Sequence, residues 1–257
     1  MKPVRLVGAA AALAVALAAC GGGGDLTGRP GAPARVSGVL IGNVTRPAGT
    51  FPALVLVSAD RFMGYDLGGV FYDGRFTLSG TSATASSISI YAGDPVGRPF
   101  LRQLSETAPM SASVTTAGWN GSIAAAGGAI TFDLDYDLET DGQDSSLSFL
   151  EGDWRFISGT YQSALAVEAD GTTTTVNTDN GNSTFCDSSG AASIIQPQYG
   201  LYAWETTVAG AGCGNLDDLP YAGLAILTDN AQPLGRLTVL LASANYFLRF
   251  TPYERQP

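Results

Sequence analysis

The 257-residue sequence contains no histidine, one lysine and three cysteines. Without histidine there is no Ser-His-Asp or Cys-His nucleophile and no His-ligated zinc, and the side chain that most often titrates near neutral pH is missing. An enzyme made from this chain would have to work with carboxylates. Cations are scarce as well: 13 Lys+Arg stand against 23 Asp+Glu, a net charge of -10 and a pI near 4.3. A nucleic-acid surface needs clustered cations, so no nucleic-acid partner is expected. What the chain does have is apolar bulk, 45% hydrophobic residues, and 33 glycines. That is enough to bury a core in one large domain or two small ones.

Lys2 and Arg5 precede an apolar run from Leu6 to Ala19. The run is shorter than the roughly 17 to 25 residues of a membrane-spanning helix. A charged start, an apolar middle and small residues at the end are the order of a secretion signal. Leu17-Ala18-Ala19-Cys20 resembles the lipobox of bacterial lipoproteins. That resemblance implies a signal peptide over residues 1–19, cleavage before Cys20, and fatty acylation, palmitate included, of Cys20. Gly21, in place of an aspartate, implies delivery to the outer membrane, with the body of the protein facing the periplasm or the cell surface. Cleavage would leave 11 arginines against 23 carboxylates. So acidic a body is repelled by anionic lipid, and membrane contact falls to the acyl chains. Residues 20–35, rich in Gly and Pro and without apolar periodicity, are expected to be a flexible tether.

From Val36 onward, short bursts of alternating apolar residues are punctuated by Gly, Asp, Asn and Ser, the pattern of an all-β chain. Strands are expected at 36–44, 51–58, 61–65, 74–78, 87–91, 111–116, 120–125 and 129–137. A second set is expected at 154–158, 164–169, 172–176, 184–187, 192–196, 201–208, 221–227, 234–241 and 246–251. Only 145–151 suits a helix, of one turn or two. Asp73-Gly74 and Asp170-Gly171 are hairpin signals, because glycine supplies positive φ. Val57-Ser58-Ala59-Asp60 matches Val167-Glu168-Ala169-Asp170, Ser79-Gly80 matches Ser189-Gly190, and Trp119-Asn120-Gly121 matches Tyr221-Ala222-Gly223. The last pair needs an insertion near 95–103. These matches point to a tandem duplication or to turn chemistry that any hairpins share. The expected architecture is two antiparallel β units, each a barrel or a sandwich, over 36–144 and 145–257. So many short strands must close or pack to hide their edges.

The second unit contains Cys186 and Cys213, the two cysteines left once Cys20 is acylated, and in an oxidising compartment they are expected to form a disulfide. Gly152-Asp153-Trp154 resembles the Gly-x-Trp of lipocalins, in which a tryptophan closes one barrel end against an arginine. The resemblance implies Arg249 as that arginine, through a cation–π contact. Trp154 is otherwise a core residue beside Phe156. Asp137, Glu139 and Asp141, followed by Gly142, have the spacing of a calcium loop, but Ser148 stands where a bidentate glutamate belongs. The simpler account is a strand with Phe132, Leu134, Tyr136 and Leu138 inward and the acids in water. A glycosidase carboxylate pair cannot be placed from sequence. No metal, cofactor or catalytic residue is therefore assigned.

Asp170-Gly171, Cys186, Ser189-Gly190, Tyr202, Cys213 and Tyr221-x-Gly223-Leu224-Ala225 together are similar to small, uncharacterised proteobacterial lipoproteins with glycine-rich β hairpins around a cysteine pair. Cys20-Gly21-Gly22-Gly23-Gly24 and Leu67-Gly68-Gly69-Val70-Phe71 more distantly resemble surface lipoproteins that bind host proteins. Two function classes follow. One is a tethered structural or binding module that presents loops to a protein, glycan or small ligand; the other is a lipocalin-like barrel holding a small apolar ligand. Leu165, Val167, Leu224, Ile226, Leu237 and Val239 are bulky enough to fill a small barrel, which favours a solid core.

Overall fold

The computed structural model describes residues 36–94, 100–137, 145–179, 182–183, 186–210, 213, 216–228 and 235–256. Residues 1–19 and 20–35, expected from sequence to be a signal peptide and a tether, with Cys20, and the polar stretch 140–144 lie outside the described residues.

The first half of the chain forms Gly38–Arg46 (β1), Gly49–Ser58 (β2), Arg61–Asp66 (β3), Phe71–Arg75 (β4), Thr77–Ser79 (β5), Ser82–Gly93 (β6), Leu101–Val114 (β7), Gly118–Ile123 (β8) and Ile130–Tyr136 (β9). Each pairs antiparallel with its neighbour in sequence, except that β4 and β5 both lie along β6 as one interrupted strand. β9 then returns to β1, so eight strand positions close into a barrel.

The second half opens with one helical turn, Leu147–Leu150 (α1), capped by the Ser146 side chain, which accepts from the Ser148 N–H. Gly152–Ser158 (β10), Tyr161–Val167 (β11), Thr172–Asp179 (β12), Asn182–Ser183 (β13), Asp187–Gln196 (β14), Leu201–Ala209 (β15), Pro220–Thr228 (β16), Arg236–Ala242 (β17) and Tyr246–Arg255 (β18) follow. β12 pairs with β14 directly, β13 is a two-residue ladder on β12, and β18 returns to β10. This second ring also has eight strand positions. The chain is all-β, as its periodicity predicts, and both units are barrels.

The alternation expected from sequence is clearest in β9, where Ile130, Phe132, Leu134 and Tyr136 are buried while Thr131, Asp133 and Asp135 are exposed. Burying each such large apolar side chain contributes about 1.5–3 kcal/mol. One core cluster, including Trp119, Phe62 and Phe132, fills the first barrel, and another, including Trp154, Trp204 and Phe250, fills the second. Outward positions include polar Ser82, Thr84 and Ser86 on β6, Asp133 and Asp135 on β9, and Thr172 and Thr174 on β12, with Ile41, Ile157 and Val176 exposed among them.

Several strands break the alternation. Val55 to Ser58, Leu224 to Leu227 and Leu237 to Ala242 are buried without interruption. A strand covered on both faces reads as a continuous apolar run. Here one face lines the strand's own barrel and the other meets the neighbouring barrel. A third cluster occupies that seam, with Val39, Leu56, Met63, Tyr65, Phe71 and Tyr91 from the first barrel and Leu201, Leu224, Ile226, Leu240, Ala242 and Phe247 from the second. Leu224 and Ile226, expected inside the second barrel, are therefore outward seam residues. Leu165, Val167, Leu237 and Val239 do point inward. Phe247 packs 5.0 Å from Phe71 and 5.5 Å from Tyr91, centroid to centroid. The seam is pinned by Tyr91 Oη donating to Ser243 O at 3.0 Å and by Arg61 Nη2 donating to Ala222 O at 3.0 Å.

Three expectations about turns and spacing change. Asp73-Gly74 lies inside β4, paired with both β3 and β6, and is not a hairpin. Its glycine makes room for Ile88, whose Cδ1 would stand 2.3 Å from a Cβ at position 74. Asp170-Gly171 is a turn, with Gly171 at φ +87° and the Thr172 N–H donating to Asp170 Oδ1. Of the matched segments, 57–60 and 167–170 occupy equivalent second-to-third strand turns. Trp119-Asn120-Gly121 lies on the seventh strand of its ring, whereas Tyr221-Ala222-Gly223 lies on the sixth. Lastly, β7 begins ten residues earlier than the sequence pattern places it, because in its first half the half-buried positions are Arg102, Leu104 and Glu106, which break the apolar alternation.

The seam makes a direct prediction. Phe247→Ala removes the ring shared by Phe71 and Tyr91 and should cost about 3–5 kcal/mol, the range for truncating a buried phenylalanine. Urea unfolding followed by circular dichroism measures it; a loss under about 1 kcal/mol would mean the seam is loosely packed.

Candidate functional site

The interior of the second barrel is the place where apolar walls, polar groups and open space coincide. It encloses a cavity of about 40 Å3. Apolar walls come from Leu165, Trp204, Val239 and Phe250, and the polar side from Thr175, Asn177, Ser188 and Thr206. Among the described residues no carboxylate, arginine or lysine lines it. Tyr161 Oη donates to Asn177 Oδ1 at 2.7 Å, Asn177 Nδ2 donates to Cys186 O, and Thr206 Oγ1 donates to Ser189 O at 3.0 Å. Nearby, Ser163 and Tyr253, both buried, share a 2.7 Å hydrogen bond. The polar groups inside this barrel are thus mostly satisfied by one another, which keeps their burial from being costly.

Two ends and one side bound this interior. At the first end, Trp154 is 1% exposed, and its indole Nε1 donates to Leu150 O at 2.7 Å. An arginine does stack on Trp154, as the lipocalin resemblance implies, but it is Arg255, with its guanidinium carbon 4.7 Å from the ring centroid. Arg255 stands directly across from Trp154 in the β10–β18 ladder and also donates to Phe149 O. Arg249 lies six residues earlier, on the seam face of β18, above Tyr65 at 4.6 Å and Phe71 at 5.4 Å. A bulge between Phe250 and Tyr253 shifts the alternation of β18, so Arg249 faces the seam while Arg255 shares the inner face with Tyr253 and Trp154, a change of face that the even spacing in sequence hides. Burial lowers the pKa of Arg249 below the ordinary arginine value, and the neighbouring Arg102 adds to that effect.

At the second end, Cys186 and Cys213 form a disulfide with their Cα atoms 4.9 Å apart. The bridge joins the segment before β14 to the connection between β15 and β16. Both cysteines are buried in the barrel's core cluster.

The side opening lies between β10 and β18, which pair only through Trp154 with Arg255 and Arg155 with Glu254. By contrast β10 follows β11 for its whole length. Into the space left over comes the first barrel's own chain: Leu101, Arg102 and Gln103 at the start of β7 pair with Leu248, Phe247 and Tyr246 of β18. Phe100, the residue before them, enters the second barrel's core. Its ring stacks on Tyr161 at 4.1 Å and meets Phe250 at 6.0 Å and Phe156 at 6.1 Å. The Arg249 N–H donates to Phe100 O at 2.8 Å, fixing the backbone. The insertion expected near 95–103 is, in its described part, this reach into the other barrel. No signal in the local sequence marks Phe100, because its contacts come from strands more than fifty residues away.

The first barrel closes on a buried charge. Asp66 is 0% exposed, and Arg46 faces it with Nη2 donating to Oδ1 at 3.1 Å. Arg46 Nε lies 2.9 Å from Oδ2 as an ion-pair contact outside hydrogen-bond alignment. Tyr72 Oη donates to Oδ2 at 2.7 Å and the Val70 N–H to Oδ1 at 3.3 Å. Desolvation, with the Asp66 charge next, drives the Tyr72 pKa well above the ordinary tyrosine value.

Asp137 sits at the end of β9 with its N–H donating to Val39 O, while Glu139 and Asp141 lie outside the described residues. Among the described residues no group of three or more acidic or cysteine side chains is arranged to hold a metal. No family model, no curated protein and no solved structure matches the chain.

Two predictions follow from these interiors. In protein recovered from an oxidising compartment, intact mass after alkylation should show no modified cysteine at 186 or 213 until the protein is reduced; prior labelling of both would contradict the bridge. The second concerns alkali. Burial pushes Tyr91 and Tyr221 up to about 12 and raises Tyr202 and Tyr253 too. A tyrosine with a raised folded-state pKa stabilises the fold fully below pH 10, and that stability is lost as pH rises toward the folded value. The urea midpoint should hold to about pH 9.5 and then fall steeply toward pH 12, with tyrosinate absorbance rising as the chain unfolds. A flat midpoint across that window would show that these phenols ionise in place.

Proposed function

We propose that this chain is a lipid-anchored cell-envelope module of the outer membrane that binds through the loops at its barrel ends and carries out no catalysis. The anchor would be Cys20, at the end of Leu17-Ala18-Ala19-Cys20, with residues 20–35 as the spacer. The disulfide between Cys186 and Cys213 fits an exported chain, since such bridges persist in oxidising compartments. The observation that carries the reading is the filling of both barrels by large side chains, with only about 40 Å3 open in the second. Interiors so packed leave the loop ends as the accessible surface for a partner. The same volume argues against an elongated apolar ligand of the lipocalin kind, which needs a pocket of several hundred Å3. The resemblance to uncharacterised proteobacterial lipoproteins agrees with this placement.

Metabolic labelling with an alkyne fatty acid, combined with membrane fractionation, tests the anchor. The wild-type chain should be labelled and should fractionate with outer membrane, and Cys20→Ser should lose the label and the outer-membrane association together. Label retained on Cys20→Ser, or a wild-type chain free in the periplasm, would contradict the proposal.

A further inference from the structure

Arg249 is a half-buried cation without a counter-charge among the described residues. Its guanidinium lies over the Tyr65 and Phe71 rings, and its Nε is buried with no hydrogen-bond partner. No carboxylate of the described residues pairs with it, whereas Arg46, Arg61, Arg75 and Arg102 each stand within 4.0 Å of one. A second arginine stands beside it. Arg102 lies opposite Phe247 in the β7–β18 ladder, and Arg249 follows Phe247 by two residues on β18. The two arginines are therefore diagonal neighbours on the seam face, where backbone positions are roughly 7–8 Å apart. Both reach the same ring, with guanidinium carbons 5.5 Å and 5.4 Å from the Phe71 centroid. Arg102 is fixed there by Nε donating to Gly69 O at 2.9 Å and Nη1 donating to Leu101 O at 2.8 Å, with Asp94 Oδ2 4.0 Å from Nη1.

The turn between β3 and β4 brings in a third. A Cβ at Gly68 would stand 2.1 Å from Arg46 Nη2, and one at Gly69 would stand 3.1 Å from Arg102 Nη2, so the glycine pair is what lets both guanidiniums close on the backbone. Three guanidiniums thus gather at one turn of a chain whose net charge is -10, with Asp66 engaged by Arg46 and Asp94 facing Arg102. Partial burial of an unpaired charge is costly, and a like charge next to it adds to the cost.

We propose that Arg249, with Arg102 beside it, binds a phosphate group next to the Leu67-Gly68-Gly69 turn. An anion there supplies the acceptor that Arg249 Nε lacks and separates the two positive charges. A phosphate suits the pair better than a carboxylate. One guanidinium fork already satisfies both oxygens of a carboxylate, whereas a phosphate has a further oxygen, and up to a second charge, for Arg102. The phosphate can belong to a soluble ester or to a lipid headgroup, and Leu67, 67% exposed at the same turn, offers an apolar contact to the rest of either molecule. The site depends neither on acylation of Cys20 nor on the space inside the second barrel.

Heteronuclear NMR of the arginine Nε–H signals tests the site. The protein is the chain from residue 20 onward with Cys20→Ser, which contains every described residue. Inorganic phosphate, titrated at ionic strength held constant with chloride, should move one Nε–H signal saturably, and Arg249→Gln should remove that signal and the binding together. Arg102→Gln should weaken phosphate about three- to tenfold, the worth of one charge-assisted contact. Acetate should bind more weakly than phosphate. Circular dichroism verifies folding; should Arg249→Gln unfold, Arg249→Lys, which keeps the charge and loses the fork, should weaken phosphate at least threefold. Two further probes separate the sources. Capture on vesicles of phosphatidylethanolamine and phosphatidylglycerol that Arg249→Gln abolishes assigns a headgroup, and glycerol 3-phosphate binding tighter than inorganic phosphate without vesicle capture assigns a soluble ester. The absence of any saturable movement overturns the proposal. So does phosphate binding unchanged in folded Arg249→Gln, and so does acetate binding as tightly as phosphate.

Discussion

The structure depends on a seam in which strands are buried on both faces at once. Phe247 lies between Phe71 and Tyr91, with Leu56, Met63, Ile226 and Leu240 around it, and every one of these side chains faces outward from its own barrel. An isolated eight-stranded barrel with these residues would expose a contiguous apolar patch of the kind that soluble monomers avoid. Each barrel therefore supplies the solvent shield for part of the other. Arg61 makes the same point with a polar group: its Nε pairs with Asp73 at 2.9 Å in the first barrel while its Nη2 donates to Ala222 O in the second.

The association goes further than contact. β7 belongs to the first ring but lends its first residues to β18, and Phe100 completes the second barrel's core where β10 and β18 part. The second barrel is thus not a self-sufficient closed cylinder; part of its wall is borrowed. That borrowing places the Phe100 ring against Tyr161 and Phe250, inside the second barrel's core. The first barrel differs, since Asp66 fixes its end through Arg46, Tyr72 and the Val70 N–H. Breaking one partner of such a buried ion pair is costly, so that end is the more rigid closure.

Much of this was legible in the sequence. Period-two alternation identified the strands of both halves, and the acidic outer face of β9 followed from Asp133 and Asp135 alternating with Phe132, Leu134 and Tyr136. The disulfide followed from cysteine arithmetic. What the pattern did not show was the two-sided burial of Leu224 and Ile226, because a continuous apolar run is compatible with any strand covered on both faces and does not name its cover. Arg249 and Arg255 are an even number of residues apart, yet the bulge between Phe250 and Tyr253 puts them on opposite faces of β18, and no sequence pattern marks that bulge. Phe100 was invisible for the reason that matters most here: its role lies wholly in contacts distant along the chain, and its flanking residues have weak strand periodicity.

Whether the two barrels form one cooperative unit is the central question, and single-tryptophan variants answer it. Trp119 reports on the first barrel and Trp204 on the second, both nearly fully buried. With the other tryptophans replaced by phenylalanine, and each variant's overall stability matched by circular dichroism, urea unfolding is followed by fluorescence at each site. The account predicts that in each variant the fluorescence transition coincides with the loss of β-sheet across the whole chain, with the same midpoint and slope. A Trp119 or Trp204 transition separated from the circular dichroism curve, with an intermediate holding one barrel folded, would contradict it.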